Sequence, residues 1–263
     1  MNGGAGVGAG RFATYPSLRD AVVLVSGGAT GLGAEFVAQF AAQGARVAFV
    51  DVQEEPAREL VEAVAATGAP RPLFRRADVT DLEGYRRVIG EVAGELGPVT
   101  VLVNNAAVDT RRPTAEVDVA AWDAGMRVNL DHHFVAATAV APMMRAAGGG
   151  SIVNLGSIST HVKLRDLVVY RTAKSAVEGL TRALALELGA DSIRVNCVIP
   201  GWVMTARQLR DWVDAEAEAV LDREQSLPLR VQPQDVARLL LWLAAEDSRA
   251  CTGQDWVVDG GWM

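Results

Sequence analysis

The sequence predicts an α/β protein: a single doubly wound parallel sheet of about seven strands with helices on both faces. Three observations carry this expectation. Short apolar runs alternate with amphipathic helical stretches over residues 21–198. The first unit runs strand, glycine-rich loop, helix, strand, and closes on an acid, Asp51. The polar and glycine motifs fall just past the C-terminal ends of the expected strands, the edge where open α/β sheets bind ligands. No linker-like stretch or internal repeat divides the chain, so residues 15–263 read as one domain. The Gly/Ala-rich residues 1–14 lack a basic start and an apolar stretch, and read as a disordered tail rather than a signal peptide.

Residues 21–25 are an apolar run bounded by turn residues, a buried strand. Ser26-Gly27-Gly28-Ala29-Thr30-Gly31-Leu32-Gly33 follows, then a helical pattern over 34–43 with Phe36, Val37 and Phe40 on one side and Gly44 as its stop. A second strand over 46–50 ends on Asp51. Glycines allow close approach of a pyrophosphate, and a helix N-terminus offers N–H donors to it. A carboxylate at the second strand's end accepts from ribose hydroxyls and repels a 2′-phosphate. No Lys or Arg lies between Ser26 and Gly33, and Val52 follows Asp51, so NAD is expected over NADP. The alternation continues with helix 54–67, strand 71–77, helix 82–96, strand 99–103, a long helix 122–147, strand 151–155, helix 167–188 and strand 193–198.

Composition excludes several classes. The net charge of −7 and pI of about 5.1 disfavour nucleic acid and anionic membranes, which need a basic surface. The two cysteines, Cys197 and Cys251, form no CxxC, so no metal or disulfide framework is expected and a reducing, cytoplasmic setting fits. No apolar run is long enough to span a bilayer. His132 and His133 are adjacent on a helix and should point apart, with no acid or cysteine to complete a metal set. Cys197 and the Met143-Met144 pair read as packing.

The chemistry is expected between residues 157 and 174. Tyr170 and Lys174 are four apart on a helix and share a face. An ammonium beside a phenol lowers the phenol's pKa and makes it a usable general acid or base. Ser157 lies one loop upstream. His161, in that loop, and Asp109 with Arg111, after the fourth strand, stand where a substrate would border the site.

These residues resemble the short-chain dehydrogenase/reductase family, with its Rossmann-type fold, over almost the whole chain from about residue 18. The motifs are Gly27-x-x-x-Gly31-x-Gly33, Asp51, Asp78-Val79, Asn104-Asn105-Ala106, Asn129, Ser157, Tyr170-x-x-x-Lys174, Pro200-Gly201 and Asp259-Gly260-Gly261. Ser26 replaces the usual threonine and Ala107 the usual glycine. The resemblance implies catalytic roles for Asn129, Ser157, Tyr170 and Lys174, with Asn129 anchoring a water in a relay from Lys174. It implies NAD contacts from Ser26, Gly27, Thr30, Gly31, Leu32, Gly33, Asp51, Val52, Asp78, Val79, Asn105, Ala106, Ala107, Tyr170, Lys174, Pro200, Gly201, Val203 and Thr205.

Within the family the chain is similar to bacterial NAD-dependent D-xylose 1-dehydrogenases, through residues such as Gly156-Ser157-Ile158-Ser159, His161, Thr172-Ala173-Lys174, Arg207-Gln208 and Cys251-Thr252-Gly253. This implies oxidation of an aldose at C1 to its lactone, under a polar lid over about 203–231. Thr160 stands where that subgroup carries tryptophan. The substrate contacts expected are Asp109, Ser159, His161, Trp202 and Gln208. Two alternatives stay open: a sugar alcohol or other secondary alcohol or ketone as substrate, and an NAD-binding regulator without turnover. The family implies a homotetramer or dimer built through helices 115–147 and 167–188, with residues 256–263 at a subunit boundary.

Overall fold

In the computed structural model, which describes residues 12–263, the apolar runs line up as a seven-stranded, all-parallel sheet. The strands are β1 (Val22–Ser26), β2 (Arg46–Asp51), β3 (Leu73–Arg76), β4 (Val101–Asn104), β5 (Gly150–Leu155), β6 (Ile193–Pro200) and β7 (Asp255–Val258), in spatial order β3-β2-β1-β4-β5-β6-β7. The order reverses between β1 and β4, which opens a crevice at their C-terminal ends. All five residues of β1 and all four of β4 are buried, because helices cover both faces.

One face carries α1 (Gly31–Ala42) and α9 (Pro233–Ala244), packed through Phe36, Phe40, Phe49 and Leu240. The other carries α3 (Leu82–Leu96), α5 (His132–Ala146) and α6 (Val168–Leu188), around Tyr85, Ile89, Met144 and Leu184. Helix α2 (Glu54–Ala66) lies against β3. The expected long helix over 122–147 is instead α4 (Val119–Met126), a π-helical turn Arg127–Asp131, and α5. Helix α4 begins earlier because Asp118 caps it, accepting from Ala121 N at 2.7 Å. The lid region forms α7 (Ala206–Asp211) and α8 (Ala215–Glu224), capped by Thr205 and Asp214. Of the tail expected over 1–14, residues 1–11 lie outside the described residues; Phe12 is already fixed, its ring 3.6 Å from the Arg238 guanidinium.

Candidate active site

The crevice is stitched together across the point where strand order reverses. Ser26 Oγ, at the end of β1, accepts from Asn105 N at 3.0 Å and Ala106 N at 3.1 Å, just after β4. Asn105 Nδ2 answers by donating to the carbonyls of Ser26 (3.0 Å) and Gly27 (2.9 Å). The glycines are dictated by this closeness. Gly27 sits at φ +65°, and a Cβ there would come 2.8 Å from Ala106 Cα; one on Gly33 would come 1.9 Å from Gly27 O. Thr30, the N-cap residue of α1, makes no capping bond with its side chain, which leaves the first-turn amides to an incoming anion. Asp51 is buried: Oδ2 accepts from Ala29 N at 2.9 Å and Oδ1 from Gln53 N at 3.0 Å. Each oxygen keeps a further lone pair for a ribose diol.

A cleft of about 1010 Å³ runs from this loop along the sheet edge to Tyr170, Lys174 and Trp262. Gly27, residues 30–33, Asp51, Val52, Asp78, Val79, residues 105–107, Pro200, Gly201, Val203 and Thr205 all line it. The glycine cradle, the open helix terminus and the acid fit a dinucleotide. Ser26 is a correction: fully buried, it lines no part of the cleft and acts as a brace between β1 and β4.

At the inner end, Tyr170 lies in the first turn of α6 and Lys174 one turn on. Lys174 is buried; Nζ donates to Leu155 O at 2.7 Å and lies 5.8 Å from the centre of the Tyr170 ring. Burial pulls Lys174 down to about 8. Burial pushes the Tyr170 phenol up to about 12, with Asp109 adding to the rise and a hydrogen bond with Ser157 and the Arg207 charge opposing it. Desolvation of the phenol therefore outweighs the Arg207 charge. Ser157 Oγ, at the end of β5, donates to Ser159 Oγ at 2.9 Å.

Asn129 sits in the π-helical turn, a distortion that recurs at functional sites. Its Oδ1 accepts from Val108 N at 2.9 Å, and Nδ2 donates to Val108 O (3.1 Å) and Gly125 O (2.9 Å). The side chain expected to carry a relay thus locks the loop after β4 and lines no part of the cleft. His132 braces the same loop, its Nε2 3.0 Å from Ala106 O. The two histidines do not point apart: their ring centres are 4.2 Å apart and both are buried, because α5 is covered by α3, α6 and the sheet together. Burial holds His132 down at about 3. Among the described residues, no group of three or more His, Cys, Asp or Glu is placed to hold a metal.

At the outer end, several residues expected to meet substrate pair instead with protein groups. Arg207 of α7 pairs with Asp109 at 2.7 Å, and the Arg111 guanidinium lies 3.6 Å from the centre of the Trp212 ring. Trp202 Nε1 donates to Gln208 Oε1 at 2.9 Å. Trp262, expected at a subunit boundary, lines the cleft and stacks near Trp202 with centres 6.4 Å apart. Asp259 holds it there, accepting from the amides of Gly261 (2.7 Å), Trp262 (3.1 Å) and Met263 (2.9 Å). The Asp-Gly-Gly run before Trp262 is the signal that marks this turn. Ser159 lines the cleft as expected, but His161 does not: it faces an adjoining outer pocket, with Nε2 held 3.1 Å from Glu178 Oε1.

Comparison with known proteins agrees with this geometry. A family model described as Enoyl-(Acyl carrier protein) reductase matches residues 27–263. The chain is 46% identical over 250 residues to D-xylose 1-dehydrogenase of Caulobacter vibrioides, covering 95% of this chain and 98% of that one. It is 44% identical over 247 residues to the "Probable galactose dehydrogenase" of Rhizobium meliloti, covering 94% and 96%. Among solved structures, a 7α-hydroxysteroid dehydrogenase complexed with NADH and 7-oxo-glycochenodeoxycholic acid superposes with a TM-score of 0.89 at 28% identity, covering 94% and 97%.

Proposed function

The chain belongs to the short-chain dehydrogenase/reductase family, and from that premise we propose that it oxidises an aldose, D-xylose or a similar pentose or hexose, at C1 with NAD to give the aldonolactone. The observation that carries the reading is the juxtaposition at the inner end of the cleft. Ser157, Tyr170 and Lys174 meet there in a cleft also lined by Asp109, Arg207, Gln208 and Trp262. Those four bring charged, amide and indole groups suited to a hydroxyl-rich substrate, alongside apolar residues such as Val162 and Leu164. The similarity to two sugar dehydrogenases over nearly the full length supports the same substrate class.

In this reading Ser157 holds the C1 hydroxyl oxygen and Tyr170 takes its proton. The buried Lys174 ammonium steadies the phenolate so formed. NAD, when bound, supplies the acceptor for the C1 hydride. Asp51 takes the adenosine ribose, the first turn of α1 and its glycines the pyrophosphate, and residues 200–205 the nicotinamide end. Asp51 is the basis for NAD over NADP. Asn129 contributes by fixing Val108, and so the loop that carries Asp109.

The deciding experiment is a panel of aldoses, polyols and secondary alcohols with NAD and NADP side by side. NADH formation from a pentose or hexose is the expected result; turnover of a polyol alone refutes the aldose assignment. Tyr170→Phe should abolish turnover while NADH binding persists. Unchanged activity in that variant would remove Tyr170 from the chemistry, and activity in neither protein would favour a non-catalytic NAD-binding role.

We further propose a homotetramer or dimer, cytoplasmic in location. Val119, Phe134 and Leu186, on α4, α5 and α6, are exposed apolar groups that assembly would cover, and sedimentation velocity tests this. No helix among the described residues is long and apolar enough to cross a membrane.

A further inference from the structure

Tyr170, Lys174 and Glu178 follow one another at four-residue spacing along α6, and the chemistry above uses only the first two. Glu178 is 8% exposed, so its carboxylate needs a reason to be there. Its Oε1 accepts from Thr160 Oγ1 at 3.0 Å and lies 3.1 Å from His161 Nε2. The Thr160 hydroxyl also lies 2.8 Å from the carbonyl of Ser157. One buried carboxylate oxygen therefore gathers the two residues that close the turn after Ser157.

That turn is weak by itself. It is a three-residue 3-10 turn, Ile158–Thr160, held by Thr160 N to Ser157 O (3.2 Å), His161 N to Ile158 O (2.8 Å) and Val162 N to Ile158 O (3.1 Å). Such short turns have poor hydrogen-bond geometry and take their shape from surrounding contacts. Ser157 and Tyr170 stand on different elements, yet must grip one oxygen to within a fraction of an ångström.

We propose that Glu178 is a positioning residue: through Thr160 and His161 it fastens the 157–161 turn to α6, the helix that carries Tyr170, and so fixes Ser157 relative to Tyr170. The inference rests on the reading that these two hold the reacting hydroxyl. Glu178 itself lines no part of the cleft. Thr160 and His161 belong to this fastening, and neither lines the cleft, whereas Ser159 and Val162 beside them do.

The test uses full-length Glu178→Leu, Glu178→Gln and Thr160→Val. Amide exchange of residues 158–162 should rise about tenfold or more in Glu178→Leu, the effect of losing roughly one buried charge-assisted hydrogen bond. Exchange in β4, β5 and β6 and the affinity for NADH should be unchanged. Glu178→Gln, which keeps an acceptor at Oε1, should recover most of the protection. With the best substrate of the panel, kcat should fall about tenfold at constant KM for NAD, and adding Thr160→Val to Glu178→Leu should cost less than Thr160→Val costs alone. An unprotected turn already present in the unaltered protein, no change on substitution, NADH affinity lost in parallel, or additive effects would each overturn the proposal. Exchange and NADH binding need no turnover, so a failed substrate panel refutes the aldose reading and leaves the fastening decided. If Glu178→Leu does not fold, the Gln and Val variants carry the same comparison.

Discussion

Asp51→Asn separates the electrostatic role of this side chain from its structural one. The carboxylate spends Oδ2 on Ala29 N and Oδ1 on Gln53 N, and the residue is 8% exposed. An asparagine keeps the shape and one acceptor but turns an NH₂ towards one of the two backbone donors, stranding it. A buried donor left without a partner costs about 1–3 kcal/mol, or roughly 2–10 °C in Tm for a chain of this size. The cofactor effect is separate. Two like unit charges at contact, about 4 Å apart, repel by about 4 kcal/mol near a protein surface, which is on the order of a thousandfold in affinity. A 2′-phosphate bears more than one charge, and solvent screens part of the repulsion. The unaltered protein should therefore prefer NAD over NADP in kcat/KM by at least about a hundredfold. Asp51→Asn should narrow that ratio by tenfold or more, mostly through a better KM for NADP. Steady-state kinetics with both cofactors, paired with thermal unfolding, reads both effects. A ratio that stays fixed on substitution, or an unaltered protein that prefers NADP, would refute the assignment of Asp51.

Lys174→Met should raise stability while removing turnover. The unfolded chain holds the lysine proton to about pH 10.5 and the folded protein only to about 8. The unfolded state thus binds more protons between these values, so stability rises with pH across that window. At neutral pH the gap corresponds to a burial cost of about 3 kcal/mol. The gain of the Met variant in urea unfolding should be largest at pH 7 and fade towards pH 10.5; a loss of stability at pH 7 would contradict the burial argument. Asn129→Ala strands Val108 N, Val108 O and Gly125 O and should cost about 2–4 kcal/mol, with kcat falling because the loop bearing Asp109 loosens. Wild-type unfolding and kinetics in that variant would remove its bracing role. Arg207→Met breaks a pair whose side chains are 50% and 20% exposed, so Tm should move by less than about 3 °C. Limited proteolysis within 206–224 should accelerate, and the substrate KM should rise; unchanged proteolysis would show that the pair does not hold the lid.

The sheet was legible because burial on both faces leaves its strands as unbroken apolar runs, as in Val22–Ser26 and Val101–Asn104. The glycine loop was legible because Gly27 and Gly33 answer to backbone sterics, which act on residue type alone. Less visible were residues whose partners lie far away in sequence. Asn129 shows helical spacing, but its bonds run to Val108, and nothing local signals the π-helical turn that aims it. The lysine one turn from Tyr170 is legible from helical spacing, but the cost of burying a phenol depends on how tightly the fold covers it. His161 illustrates the limit most plainly. Four residues from Ser157 it reads as a substrate contact, and only the three-dimensional placement of Glu178 turns it away.

A difference in stiffness between the two ends of the cleft follows from the same bonds. The groups behind the cleft are over-determined: Asn129 makes three bonds to backbone, and Asn105 ties two carbonyls to the end of β4. The outer closure rests on the Asp109–Arg207 pair and the Arg111–Trp212 stack. A half-exposed ion pair contributes about 0–1 kcal/mol and a surface cation–π contact about 0.5–1 kcal/mol. Together these two contacts contribute roughly 1–2 kcal/mol to closure. A ligand that bridges Asp109 and Arg207 deepens closure only by its differential contact with the shut form. Changes to the lid should therefore appear first in KM and in substrate range, and changes to the braces behind Tyr170 in kcat.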